Sequence, residues 1–210
     1  MTAAQLILIF RDSENSTPES LADLFAFKPA IIEHENRDQN RKFRTEVVRR
    51  LLYDFTFRDI YLIRRLFAEE LNCDASTGCH DNLYQLSFYL YELAQPEDIF
   101  ILYKAKYLAS NFDVHNTLDR EMITVRHTYD LATAYVEKVF EQKPDLQKQF
   151  PVILRELAEL KQEPDYESQE AYRRFIYGYF YGHERVARIN FNLTVDINRP
   201  RFKKSWWRFW

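Results

Sequence analysis

The stretch NCDASTGCHD, residues 72–81, holds the densest set of side chains that could do chemistry. Thiolates and imidazole are zinc ligands, so Cys73, Cys79 and His80 would supply three ligands of a tetrahedral set. Zinc cysteines usually stand about two to four residues apart; these stand farther apart, and no fourth ligand follows. The matching position 39 residues on holds Phe112, which points to packing for Cys73. There is no Gly-rich phosphate loop and no His-Glu-x-x-His, nor the Glu-x-x-His pair of di-iron bundles. His115 and His127 read as surface or satisfied histidines. No catalytic, cofactor-binding or metal residue is assigned.

Adjacent His80 and Asp81 are similar to the metal-binding pair of the all-helical HD-type phosphohydrolases. That resemblance implies a metal-dependent hydrolase with an earlier histidine and a later aspartate, for which His34 and Asp130 or Asp119 are the candidates. The competing reading places His80 and Asp81 at a helix cap.

The elements that must position these residues follow from composition and spacing. Three glycines in 210 residues lie far below the usual share of about 7%. Sheets joined by tight turns need glycine at positive φ, so the chain is expected to be all-α. Net charge is −3, which carries no nucleic-acid signature. Two cysteines do not make a disulfide framework. No apolar run approaches the roughly 18 residues of a membrane span, and no secretory signal is seen; a cytoplasmic setting is expected.

TPESL, TFRDI and QPEDI begin at Thr17, Thr56 and Gln95, 39 residues apart each time. Pro18 and Pro96 suit a first helical turn, where the missing N–H costs nothing. Thr56 with Asp59 offers a comparable cap. Asn72 and Asp74 recur as Asn111 and Asp113 and are read as the turn of each unit. Beyond it Leu83, Leu86, Leu90 and Leu93 match Met122, Val125, Tyr129 and Ala132, a helical stripe. The expected helix pairs are 17–27 with 40–53, 56–71 with 79–94 and 96–110 with 117–141, followed by 144–161 and 164–184. Such units must stack to bury their faces. Over residues 17–141 the pattern resembles a HEAT-like α-solenoid, a family with a period of about 40 residues, which implies stacked antiparallel helix pairs.

Residues 188–197 break the pattern: Ile189, Phe191, Leu193, Val195 and Ile197 alternate with polar residues, the signature of a half-buried strand. Its expected partner is QLILIF, residues 5–10, giving a small terminal β-pair. Residues 1–198 are read as one helical-repeat domain and 199–210 as a basic-aromatic tail. That tail holds Trp206, Trp207, Arg208, Phe209 and Trp210, residue types enriched where partners bind; docking on a protein, peripheral contact with a membrane, and folding back on the domain all fit it. The leading reading is a non-enzymatic protein-interaction module with a protein partner. The alternatives are the HD-type hydrolase and a membrane- or RNA-associated protein working through the tail.

Overall fold

The computed structural model describes residues 1–12, 19–32, 35–109 and 112–186. Thr2 and Gln5 open the chain with a reciprocal cap: the Gln5 backbone N–H donates to Thr2 Oγ1 at 3.2 Å, and the Thr2 N–H donates to Gln5 Oε1 at 2.9 Å. Helix α1 (Ala3–Asp12) follows and buries Leu6, Ile7 and Phe10. QLILIF is therefore helical, not a strand. Its apolar residues at i, i+1 and i+4 form one helical face, seated on α3 (Arg41–Leu51), while Leu8 and Ile9 face outward.

The small β-pair lies elsewhere than the termini. After the short α2 (Glu19–Ala22), β1 (Pro29–Ile32) pairs antiparallel with β2 (Glu35–Asp38), Pro29 opposite Asp38. Asp38 Oδ1 accepts from the Lys28 and Asn40 backbone N–H groups at 3.0 Å each, which ties the hairpin's open end. The fully buried Arg44 of α3 then joins three elements. Its guanidinium meets Asp38 Oδ2 at 2.6 Å and Glu70 Oε1 at 2.5 Å, and donates to the Phe25 carbonyl at 3.0 Å.

Thr56 and Asp59 form the expected capping box, leading into α4 (Ile60–Thr77). The helix runs straight through Asn72 and Asp74, which are not a turn. It stops at Gly78, whose φ of 72° satisfies the left-handed position that ends many helices and whose N–H bonds the Asp74 carbonyl. Only glycine takes that conformation freely, so the chain ends its helix there rather than at the Asn-x-Asp phrase. In the next copy Asp113 lies in the first turn of α7 (Phe112–Thr117), again not a turn between helices; Asn111 lies outside the described residues.

Helix α5 (Leu83–Leu93) packs along α4 and buries nearly every residue from Leu86 to Leu93, as a helix touched on several faces must. Helix α6 (Asp98–Tyr103) passes into a π-helical turn at Lys104–Leu108. The expected helix 117–141 is broken. A 3-10 turn at Arg120–Thr124 ends in Val125 and Arg126, both left-handed (φ 44° and 62°), before Thr128 caps α8 (Tyr129–Gln142). The stripe that matched α5 thus crosses a chain reversal. Pro151 separates α9 (Pro144–Gln149) from α10 (Ile153–Gln162). Ser168 caps α11 (Gln169–Tyr181), and α12 (His183–Val186) closes the described chain. One hydrophobic cluster runs from Leu6 to Ile176. Residues 188–197 and the tail with Trp206, Trp207, Arg208, Phe209 and Trp210 lie outside the described residues. No helix among the described residues is long and apolar enough to cross a membrane.

Candidate functional site

The sequence-predicted ligands part company in the structure. Cys73 is buried in α4 with its sulfur 3.4 Å from Thr77 Oγ1, and burial pushes its thiol pKa up, away from the thiolate that a metal needs. His80 turns back onto Asp74, Nδ1 to Oδ1 at 3.2 Å, while Asp81 pairs with Arg41. Asp130 pairs with Lys161 at 2.5 Å on α8, and Asp119 accepts from two tyrosines; His34 is outside the described residues. Among the described residues no three His, Cys, Asp or Glu side chains are grouped to hold a metal.

The residues that do converge surround Glu92, near the C-terminal end of α5. Its side chain is almost fully buried at 4% exposure, yet it accepts four charge-assisted or hydroxyl hydrogen bonds. Arg173 of α11 donates to both carboxylate oxygens, Nε to Oε1 at 2.9 Å and Nη2 to Oε2 at 2.8 Å. Arg126 Nη1 donates to Oε2 at 3.1 Å and to the Glu92 carbonyl at 2.9 Å; Tyr177 OH donates to Oε2 at 2.9 Å. The two-point Arg173 contact is the geometry in which a guanidinium binds a carboxylate most strongly. The same guanidinium lies 5.3 Å from the centre of the Tyr177 ring, and the nearby carboxylate helps raise the Tyr177 hydroxyl pKa, although burial is the larger cause.

Backbone strain builds this corner. Three non-glycine residues among those described have positive φ: Ala94, Val125 and Arg126. Ala94 ends α5 two residues after Glu92; Val125 and Arg126 form the reversal that sends the Arg126 guanidinium to Glu92. For a β-branched residue such as Val125 this region is a true outlier. Strain of about 1–3 kcal/mol per residue persists only where surrounding contacts impose it. Above this floor opens a groove of about 530 Å³ walled by the 52–57 turn and α11. Tyr53, Phe55, Phe57, Tyr177 and Tyr181 line it, and Tyr53 stands 80% exposed at the rim. Tyr181 OH donates to the Leu52 carbonyl at 2.9 Å, which joins the two walls.

A second groove, of about 630 Å³, lies between the π-helical turn and α10. Lys106, His115 and Arg120 face Glu156, Glu159 and Glu163 across it. Lys106 donates to the His115 carbonyl, and burial lowers its pKa. Beside it Asp119 accepts from Tyr84 at 2.8 Å and Tyr172 at 3.0 Å; burial raises the carboxyl pKa, and the two hydroxyl donors oppose that rise. Lys106 lies within the π turn, a kind of turn often found at functional sites.

Sequence reading missed both grooves. Glu92 and Arg173 are 81 residues apart, and no local pattern couples them. The available signal was a glutamate inside a helix of closely spaced leucines and aromatic residues, which needs a buried cationic partner. No protein-family model matches the chain, and neither a curated protein nor a solved structure is found to match it.

Proposed function

We propose that this chain is a non-enzymatic interaction module whose binding face is the Glu92 groove. One observation carries the reading: every left-handed non-glycine residue among those described, Ala94, Val125 and Arg126, lies at the corner that sets two guanidiniums beneath an open aromatic groove. Structure that costs strain and leaves aromatic rings at a rim is suited to recognition, because aromatic and arginine side chains supply most of the energy of binding hot spots. His80 and Asp81, the pair behind the hydrolase alternative, are engaged with different partners on α4 and α3, which favours the binding reading. In this proposal the packed α4–α5 pair is one unit of a HEAT-like stack, and the tail around Trp206, Trp207 and Trp210 adds a second contact for the same protein partner. The two free cysteines agree with a reducing, cytoplasmic setting.

A photo-crosslinking amino acid at Tyr53, on the groove rim, and another at the exposed Leu131 of α8 test the proposal in cells that make the protein. A discrete protein adduct from position 53 and none from 131 is the expected result. Identical adduct patterns from the two positions, or an adduct from 131 alone, would refute the groove as the binding face.

A further inference from the structure

The reversal beside the Glu92 groove ends in a buried histidine that takes no part in the Glu92 cluster. His127 is 8% exposed, and its Nε2 has no hydrogen-bond partner. Its backbone is held on both sides. The N–H donates to the Thr124 carbonyl at 2.9 Å, and the carbonyl accepts from Gln169 Nε2 at the start of α11. The two residues before it, Val125 and Arg126, are left-handed, and from there Arg126 reaches Glu92. A strained hinge, a guanidinium that lines the groove and a buried titratable ring thus fall on three consecutive residues.

Protonation acts on this arrangement in one direction. The imidazolium carries an N–H on both ring nitrogens, and the buried Nε2 meets no acceptor. Removal from water opposes the charge most strongly. The Ala94 carbonyl favours it, Arg126 opposes it and Glu97, just before α6, favours it; on balance the ring pKa falls below its ordinary 6.5. Opening the reversal returns the ring to water, where it binds the proton normally. The closed form is therefore fully favoured above 6.5 and loses ground as pH falls through the folded value. Opening also releases the left-handed strain.

We propose that His127 is an acid-sensitive latch: its protonation opens the 125–127 reversal and withdraws Arg126 from Glu92, so the groove stands formed near neutral pH and comes apart in acid. The consequence for a partner rests on the reading of this groove as the binding face; the latch itself does not.

The test follows the full ¹⁵N-labelled chain by NMR from about pH 7.5 to about pH 4.5. It reads the His127 ring nitrogens, the Arg126 Nε–H and the hydrogen-exchange protection of the Val125 and His127 amides. Protection of those amides is expected to fall by up to about tenfold per pH unit below 6.5. The Arg126 resonance should move at the midpoint at which the ring titrates, while the α5 amides stay protected. In His127→Phe, which cannot take a proton, both changes should vanish. A step at Arg126 that survives in that variant overturns the latch and assigns the step to a carboxyl such as Asp98, whose pKa burial raises to about 6. Ring titration with Arg126 unmoved also overturns it, as does loss of α5 protection at the same pH, which is global unfolding. These last two outcomes are read in the unmodified chain, so they do not depend on the variant folding. A crosslink from position 53 that is absent even at neutral pH, with the latch intact, rejects only the binding reading. A crosslink that persists in acid with Arg126 unmoved rejects only the latch.

Discussion

The two grooves stand at opposite ends of α5 and are built in opposite ways. At its C-terminal end Glu92 gathers two guanidiniums and a tyrosine hydroxyl into a saturated ion cluster, roofed by aromatic rings. At its N-terminal end Tyr84 joins Tyr172 in holding Asp119 near a groove where three glutamates face Lys106 and Arg120. In the first, charges are deeply buried and mutually satisfied, and the cost appears as strained backbone beside a tyrosine hydroxyl whose pKa burial raises. In the second, single groups are partly buried and the cost appears as displaced pKa values. Saturation of a buried charge fixes a shape for recognition; partial burial leaves a group able to change its proton occupancy near the solvent.

The largest difference between them should appear on removing one charge from each. Glu92→Ala leaves two guanidiniums facing each other in the core and is expected to cost about 3–5 kcal/mol. Lys106→Met removes a lysine whose charge is already disfavoured by burial, at the loss of one hydrogen bond to a carbonyl, and should cost no more than about 1 kcal/mol. Urea denaturation of the two variants reads the contrast directly, and equal losses would erase it.

Proton linkage offers a second, smaller separation. Burial raises the Asp119 carboxyl above its ordinary 3.8. The folded chain therefore holds that proton more tightly than the unfolded chain. This contribution to stability is fully present below the unfolded value and is lost as pH rises through the folded one. Asp119→Asn keeps an acceptor for Tyr84 and Tyr172 and is expected to remove this slope. Stability curves of parent and variant measured from pH 3 upward should converge at low pH and separate as pH rises, with the parent losing ground. Parallel curves would show that Asp119 does not titrate anomalously.

The smallest effect concerns strain. Ala94 holds φ 53° and ψ 44°, a conformation glycine adopts without the penalty of a Cβ. Ala94→Gly should raise stability by about 0.5–1 kcal/mol, seen as a higher melting temperature. A loss instead would mean that the buried Ala94 methyl contributes more by packing than its backbone costs.

Much of the architecture was legible locally. Thr56 with Asp59 forms the capping box that its spacing suggested, and the leucine stripe of α5 is core throughout. The N-terminal run misled because consecutive apolar residues fit a strand and a helix equally; the Thr2–Gln5 cap and the face formed by Leu6, Ile7 and Phe10 settle it as helix. The 39-residue repeat places matching residue types at positions whose structures differ. Leu86 lies inside α5, whereas its counterpart Val125 lies in a left-handed reversal.

Sequence alone determined an all-α chain, several of its helix starts and its apolar faces, because scarcity of glycine, side-chain caps and 3.6-residue periodicity act between residues a few positions apart. Only the tertiary structure decided that Glu92 meets Arg173 and Arg126, that Asp74 takes His80 while Arg41 takes Asp81, and that Val125 and Arg126 turn left-handed. With 29 basic and 32 acidic side chains, a great many ion pairs are chemically equivalent in sequence. Packing selects among them by bringing a few into low dielectric, where an unpaired charge is too costly to leave.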